Sequence, residues 1–589
     1  MLDLLTAPIV ALIAAHLGVP AATVAALVTT PAKGVAGDVA IPCFQLAKGR
    51  GVAPPLLAGE LGAMVSGNAV AAVAAGPFLN LTFPPSAVAA ALLPPLAADP
   101  LTALRASSGA GKTVCIDFSS PNIAKHLAFH HIRSTMIGNA LARLYAALGY
   151  RVVRINFLGD WGTAFGRLIA GWKREALTIQ DLERSADQVT VLHELYVRIS
   201  NAAKAEPQID EEARQWSKRL EDGDPEARQL WQLFKDVSLA EFKRVYALLG
   251  VDFDSWKGEA HYEGKMGPVL AELEGKALTR IDQGALVVDL TSLGFKKPAL
   301  LKRADGGTLY ATRDLAACDD RWNEFRFDRS LYVVDLGQAL HFKEWFAIAK
   351  LLGRPYADRL RHIGFGIVLM WNDDPGAGEP AGWARVATRK GRVMLLREVL
   401  EEAIERARAV IIEKNPEIAG AERERIAQAV GVGAVVFNDL KSGRTNDVKF
   451  RFEEALRFDG ETGPYLQFAH ARLCSIERKF HEAHPGAHAL DPALLAREDE
   501  KQVLLAIARL RQALERAVDN DEPSAMASAL LVLAGQVASW LTAGNHEPAA
   551  RVLCADPALA TARLAVVRAA RACLGEGLRL IGLQAPERM

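Results

Sequence analysis

The densest group of chemistry-bearing side chains lies between Ser119 and Thr135, where Lys125, His126, His130, His131 and Arg133 follow one another through a turn into a helix. Each can donate to a phosphate oxygen. The positive end of the incoming helix dipole favours the same anion. The chemistry that suits this segment is therefore the binding of a nucleoside triphosphate. Taken alone, a His pair at a helix start can equally cap or pack. A second phosphate-loop pattern, ASSGAGKT at Ala106 to Thr113, has Gly111, Lys112 and Thr113 in the expected order but the wrong surroundings. Such a loop needs a strand before it and a helix after it, and here a strand follows immediately.

The elements that must position these groups are legible in the apolar spacing. Val114 to Phe118 reads as a buried strand, Ile132, Met136, Ile137, Ala140, Leu141, Leu144 and Leu148 recur at helical spacing, and Arg151 to Phe157 reads as a second strand. A strand, helix and strand this close together predict a βαβ unit and a parallel sheet. In such sheets ligands sit at the carboxyl ends of the strands, where the Ser119 turn falls. Leu168 to Leu249 is charged and helical and reads as a solvated insertion, after which strands return at Ala285 to Leu290 and Ser330 to Val334. Six further helices are predicted: Leu395 to Arg408, Ile426 to Leu440, Tyr465 to Phe480, Val503 to Val518, Ala525 to Leu541 and Leu559 to Leu580. Together they form a C-terminal bundle. The Ala-, Leu- and Pro-rich N-terminal stretch, with alternation from Phe78 to Phe83, reads as a small α/β module.

The expected organisation is an α/β plus all-α protein with an N-terminal module at 1–105, a sheet domain at 106–395 with a helical insertion at about 168–250, and a helical domain at 396–589. A chain of 589 residues exceeds what one hydrophobic core organises. Its 50 % hydrophobic and 23 % charged residues exclude a disordered chain. Sixty-nine basic and sixty-nine acidic residues cancel, so any nucleic-acid site must be found by position rather than by net charge. Cys43, Cys115, Cys318, Cys474, Cys554 and Cys573 are scattered without a CxxC pair, which argues against a structural zinc or a disulfide scaffold and suits a reducing cytoplasm. Met1 to Val19 carries Asp3 and His16 and reads as an amphipathic helix rather than a signal peptide, and no membrane span is expected.

Several stretches, in order along the chain, resemble the arginyl-tRNA synthetases, class I enzymes whose HxGH signature occupies the Ser119 turn. Ser120 to Gly138 reads S-P-N-I-A-K-x-x-x-x-x-H-x-R-S-T-x-I-G, Leu158 to Gly166 reads LGDWGxxFG, Thr308 to Asp314 reads TLYATRD, and Tyr332 to Phe342 reads YVVDxxQxLHF. Gly364 to Leu369 with Thr388 to Gly391 reads GFGxVL and TRKG, Thr462 to Arg472 reads TGPYLQFAHAR, and the chain ends APERM. Blocks in order are far more specific than one short motif.

The resemblance implies a Rossmann-like catalytic domain, an N-terminal module that grips the tRNA D-loop and a helical anticodon-binding domain. It implies ATP-dependent attachment of L-arginine to its tRNA through an arginyl-adenylate, releasing AMP and pyrophosphate, with ATP and Mg2+ as a substrate complex and no structural metal. Family positions that hold arginine fall on Asp117, Asn122, Tyr310, Asp314 and Gln338. A carboxylate with neighbouring hydroxyl and amide groups complements the planar guanidinium fork. For ATP and catalysis the matching or neighbouring residues are Lys125, His126, His130, His131, His341, Thr388, Arg389 and Lys390, and Glu259 falls on a family segment near the active site. For tRNA they are Phe78 and Asn80 at one end and Tyr465, Phe468, Arg472 and Met589 at the other, with Arg444, Lys449, Arg478 and Lys479 as further phosphate contacts. An aromatic and an amide suit a splayed base, and aromatics on one helix face suit stacked anticodon bases. The family also implies a monomer in the cytoplasm, and activation of arginine only when tRNA is present.

This sequence departs from the pattern where it meets ATP. The HxGH positions read Ala128, Phe129, His130 and His131, so the first His is Ala and the Gly is His. Either His130 or His126 supplies the missing imidazole or ATP binding is weakened, and losing one preorganised donor costs roughly 10²- to 10³-fold in rate. Trp371 to Arg385 is longer than the family pattern and reads as a mobile excursion, and the K-M-S positions that follow read Arg385, Val386 and Ala387. The alternatives are a divergent paralogue that charges another amino acid and a non-catalytic tRNA-binding or amino-acid-sensing protein; intact Tyr310, Asp314 and Gln338 argue against a changed substrate.

Overall fold

Strands β1 (Val39–Pro42), β2 (Ala71–Ala75) and β3 (Phe78–Thr82) form an antiparallel sheet in the order β1-β3-β2. Leu79 and Leu81 point into a core closed by the helices Asp3–Leu17, Pro54–Val65 and Pro85–Ala98, so the first residues form the helix that their apolar spacing predicts. The computed structural model describes residues 1–32, 34–67, 70–302, 310–372, 382–385, 394–484 and 488–589, and the side chains of Tyr310 and Asn372 lie outside that set.

The second sheet is the expected parallel one. Its order is β10-β9-β4-β5, built from β4 (Thr113–Asp117), β5 (Arg151–Ile155), β9 (Arg329–Tyr332) and β10 (Leu360–His362). β4 lies between β9 and β5, which is why Val114, Cys115 and Ile116 are apolar without alternation. The crossover helix His131–Ala147 buries nearly every residue of its first three turns. Gly138 makes its close seat possible, because a Cβ there would stand 2.2 Å from the Phe118 ring. At Ala106 to Thr113 a turn leads directly into β4, and Lys112 Nζ donates to its neighbour Ser108 O at 3.0 Å, so the phosphate-loop look-alike has no helix behind it.

The helical insertion runs through Thr163–Arg174, Gln188–Ala202, Gln208–Glu221 and Pro225–Leu249. Its outer faces carry charge pairs such as Arg174 with Glu206 and Glu212. The reading of it as a solvated insertion needs correction, because Phe234, Ser238, Phe242 and Tyr246 on its last helix are buried, Phe234 beside Trp172 and Ser238 and Tyr246 against the turn that leaves β4. Ala285–Val288 also differs from expectation. It is β7 of a separate antiparallel sheet with β6 (Thr279–Asp282) and β8 (Ala299–Lys302), because Gln283 and Gly284 both take positive φ and close a two-residue hairpin.

Beyond the parallel sheet, β11 (Val368–Asn372) pairs antiparallel with β12 (Gly382–Arg385) and parallel with β13 (Val448–Phe450). The ends of the Trp371–Arg385 excursion are thus paired strands, with Trp371 opposite Trp383 at 5.4 Å between ring centres. Helices Leu396–Lys414 and Gly420–Leu440 precede β13, and Gly463–Ala483, Glu498–Ala508, Leu510–Asp519, Ser524–His546 and Pro557–Leu580 complete the bundle. Two helices broken at Arg509 replace the single one expected over Val503 to Val518, and Arg509 Nη2 donates to Asp38 O of the N-terminal module at 2.6 Å. By length and composition Ser524–His546 is apolar enough to cross a membrane, and it buries Leu530, Leu533, Val537 and Trp540 in the bundle.

Candidate functional site

The turn that leaves β4 carries unusual backbone. Ser119, Ser120 and Ala124 take φ of 69°, 45° and 58°, a left-handed region disfavoured for residues with a Cβ. The turn is held by hydroxyls. Ser119 N donates to Ser134 Oγ at 2.9 Å, Ser119 Oγ lies 2.7 Å from the Tyr246 hydroxyl, and Ala124 N donates to Ser238 Oγ at 2.8 Å. Ser120 Oγ donates to Asp117 Oδ1 at 2.8 Å, while Asp117 Oδ2 meets Arg321 Nη2 at 2.7 Å. Asp117, expected to face arginine directly, is thus buried against the chain's own guanidinium. Burial pushes its carboxyl upward against the pull of Arg321. Asn122 remains exposed beside Gly159, where a Cβ would stand 2.0 Å from Asn122 Oδ1.

Asn122 opens onto a cavity of about 380 Å³ lined also by Lys125, Trp161, Tyr196, Glu259 and Arg313. Lys125 lies 5.3 Å over the Tyr196 ring, and Glu259 Oε1 meets Arg313 Nη1 at 3.0 Å. Burial pushes the Glu259 carboxyl up to about 7, with Arg313 opposing and Asp314 adding to the rise. One residue from Arg313, Asp314 Oδ2 is 2.6 Å from His341 Nε2. Burial works to lower the His341 pKa, but the hydrogen bond and charge of Asp314 raise it. The helix Tyr310–Phe325 carries Asp314 on its second turn as the spacing predicts, and the Tyr310 side chain lies outside the described set. Gln338 is exposed at the end of the short turn before Ala339–Leu351. Thr388, Arg389 and Lys390, with Val386 and Ala387, fall outside the described residues.

At the start of the crossover helix His130 and His131 stack with ring centres 4.3 Å apart. His131 Nδ1 lies 3.1 Å from Ala128 O, and a carbonyl only accepts, so the proton sits on Nδ1 and Nε2 offers a lone pair. Burial and then the neighbouring His130 lower its pKa to about 4, so it is neutral at physiological pH. His130 is lowered by burial, with Asp335 opposing. Two sequence assignments in this segment require correction. His126 turns to the insertion, with Nε2 2.8 Å from Thr190 Oγ1 and Asp187 and Glu241 just beyond, so it does not stand in for the missing imidazole. Arg133 is buried, donating to the carbonyls of Gly366, Asn446 and Arg444 at 3.1, 2.7 and 3.2 Å beside Asp439. It joins domains and is out of reach of phosphate.

Residues 97–452 match the model of tRNA synthetases class I (R), catalytic domain, and residues 466–589 match that of the DALR anticodon binding domain. The chain is 41 % identical over 567 residues to an arginine–tRNA ligase of Streptococcus equi subsp. equi, covering 96 % of each. The chain belongs to the arginyl-tRNA synthetase family. It is likewise 41 % identical over 569 residues to arginine–tRNA ligase 2 of Bacillus anthracis, covering 96 % of this chain and 95 % of that one. The solved arginyl-tRNA synthetase of Thermus thermophilus superposes with a TM-score of 0.78 at 26 % identity, over 95 % of this chain and 96 % of that one. That of Plasmodium falciparum gives 0.76 at 21 % identity, over 95 % and 94 %, a likeness of fold.

Of the residues that the family resemblance assigns to tRNA, Phe78 is exposed and packs edge-on against the exposed Phe44 at 5.7 Å. Phe44 had no periodic signal to single it out. Asn80 is 3 % exposed, packed toward Gly37, so the assignment of a splayed base to its amide is corrected to a core position. On Gly463–Ala483, Phe468 is exposed, Tyr465 and Arg472 are half-buried, and Arg472 has no hydrogen bond or ion pair among the described residues. Met589 packs against a buried cluster of Ala407, Ile411, Ile418, Ile426, Ala427 and Val430. Arg444 is corrected to a structural role, since its side chain donates to Asp521 O and Gly364 O at 3.1 and 2.7 Å. Lys449 lies 5.2 Å over the Trp383 ring, Arg478 donates to Glu587 O at 3.3 Å, and Lys479 is exposed.

Proposed function

We propose that this chain joins L-arginine to arginine tRNA at the expense of ATP, with the cavity beside the Ser119 turn as the amino-acid site. Identity of about 41 % along 96 % of the chain to an arginine–tRNA ligase carries this reading. The arginine carboxylate oxygen attacks the α-phosphorus of ATP, which arrives with Mg2+ as part of the substrate, and pyrophosphate leaves. The 2′- or 3′-hydroxyl of the terminal adenosine of tRNA then attacks the carbonyl carbon, and AMP departs with the bond pair. Little covalent work falls to the protein, so its contribution is positioning and charge stabilisation.

Asp314, oriented by His341, receives the guanidinium together with Tyr310, and Glu259, which lines the cavity, adds a second carboxylate. Asn122 and Gln338 hold the amino-acid backbone groups. His130 presents an exposed ring for phosphate and His131 a neutral one, and Lys125, Arg389 and Lys390 are assigned cationic contacts to ATP and Thr388 a hydroxyl. Phe78 with Phe44, and Tyr465, Phe468 and Arg472 with Met589, form the two tRNA faces. The division at residues 105 and 395, a monomeric state and a cytoplasmic location belong to the same proposal.

The deciding assay incubates the purified protein with radiolabelled arginine, ATP and arginine tRNA. Acid-precipitable label is expected, and pyrophosphate exchange without tRNA is expected to be negligible. Charging with another amino acid alone, or tRNA binding without charging, would overturn the reading.

A further inference from the structure

We propose that Ser238 and Tyr246, on the last helix of the insertion, are positioning residues that hold the amino-acid site in its working conformation. The inference rests on the reading of Asn122 as an arginine contact. Three residues with a Cβ in left-handed backbone within one short turn will persist only where the surroundings over-determine them. Here Ser134, Thr135 and Asp117 hold Ser119 and Ser120 from the sheet side, and the insertion supplies the contacts to Ser119 Oγ and Ala124 N. Ser238 Oγ accepts from Ala124 N at 2.8 Å while donating to Phe234 O of its own helix at 2.7 Å, so its single proton is committed and its lone pair is aimed at the turn. The Tyr246 hydroxyl lies 2.7 Å from Ser119 Oγ and accepts from Asn156 Nδ2 at 3.2 Å. Ser238 and Tyr246 are fully buried, so water cannot replace either contact.

Between these two pins lie Pro121 and Asn122. Pro121 O accepts from Gly159 N at 3.0 Å, and Ile123 N donates to Gly159 O at 3.2 Å, so Asn122 is carried on a short ladder whose two ends the insertion helix fixes. A serine Oγ and a tyrosine hydroxyl on the buried face of a charged helix are otherwise needless in an apolar seam, where Ala and Phe would fill the same space. Ser238 and Tyr246 thereby become part of the amino-acid site without lining the cavity themselves.

The test measures aminoacylation by Ser238→Ala, Tyr246→Phe and Asn122→Ala in the full chain, varying arginine, ATP and tRNA in turn. Losing the pins is expected to raise the arginine KM by roughly tenfold, the scale of one left-handed residue released. The KM values for ATP and tRNA should stay within about twofold, since only the turn is freed. A second variant separates positioning from folding: adding Ala124→Gly to Ser238→Ala removes the penalty for left-handed backbone and should recover much of the arginine KM. Wild-type arginine KM in both pin variants, with only a lowered melting temperature, would overturn the inference, as would an equal rise for all three substrates. If Asn122→Ala is impaired while the pin variants are not, the site reading stands and this inference falls. If Asn122→Ala is also unimpaired, the site reading itself fails.

Discussion

Glu259 is the side chain whose ionisation the site has altered most usefully. Its carboxyl is pushed up to about 7 by burial, and a carboxyl raised in the folded chain is favoured in its protonated form. The sign for stability follows. Below the ordinary carboxylate value the folded and unfolded chains are both protonated at this position, and as pH rises toward 7 the unfolded chain ionises first, so folding loses on the order of 3 kcal/mol that Glu259→Gln would restore. Arginine binding should reverse the shift, because a guanidinium entering beside Glu259 and Asp314 stabilises the ionised form. Calorimetric titration of arginine at pH 7 in two buffers of different ionisation enthalpy is therefore expected to show about half a proton released. The release should vanish near pH 9 and in Glu259→Gln. Proton-neutral binding at pH 7 would place the guanidinium elsewhere. Neutral His131 beside exposed His130 bears on the altered HxGH segment: on the proposed reading the ring offered to ATP is that of His130, since His126 is spent on the insertion.

The crossover helix His131–Ala147 is the element on which catalytic and helical domains meet. At its start Arg133 Nε lies 3.0 Å from Asp439 Oδ1, off the line of a good hydrogen bond, so the contact is ionic while the other guanidinium protons go to backbone carbonyls. At its far end the Tyr145 hydroxyl donates to Asp521 Oδ1 at 2.6 Å, and Asp521 also pairs with Arg361 at 2.9 Å. Removing one member of a buried pair strands the other charge and costs about 3–5 kcal/mol. Arg133→Met and Asp439→Leu are each expected to lower denaturant stability by that order, and the double variant by clearly less than their sum. A phosphate-binding Arg133 would instead spare stability and raise the ATP KM. The helix, its strands and its apolar face were legible in spacing because periodicity records burial. What Arg133, Asp117 and His126 touch was not, because Asp439, Arg321 and Thr190 are distant in sequence and a cation looks the same in spacing whether solvated or clamped. The insertion was misread for the same reason. Its charged outer faces dominate its composition, while Ser238 and Tyr246 sit in an inner stripe that reads only as core. Of the residues tied to a family motif, Asn122 lines the cavity and Asp314 follows its lining residue Arg313 and pairs with His341, whereas Phe44 and Arg321 belong to no such motif.

At the scale of the whole molecule the N-terminal module is fastened to the bundle by a buried charge. Lys501, 2 % exposed, donates to Asp38 Oδ2 at 3.1 Å and to Phe83 O at 3.2 Å, and the same carboxylate oxygen accepts from Phe83 N at 2.8 Å. Arg509 and Arg511 add contacts to the backbone of Asp38 and Thr102 at 2.6 and 2.9 Å. Asp38 lies directly before β1, which pairs with the strand that carries Phe78, so the clamp sets the distance between the exposed Phe44–Phe78 pair and the Phe468 face of the bundle. On the proposed reading both faces meet tRNA, and two surfaces held at a fixed distance bind a rigid partner with the second contact made at high effective concentration, an advantage that disappears when one surface swings free. Lys501→Met would leave Asp38 buried without its cation and loosen the module by about 3–5 kcal/mol. The expected result is a rise of about tenfold or more in the tRNA KM, with arginine and ATP KM unchanged, since the cavity beside Asn122 lies in another domain. Adding Asp38→Asn removes the stranded charge and should recover part of the loss. Small-angle scattering of the single variant should show a larger radius of gyration. A released module with an unchanged tRNA KM would show that the two faces do not act as one ruler.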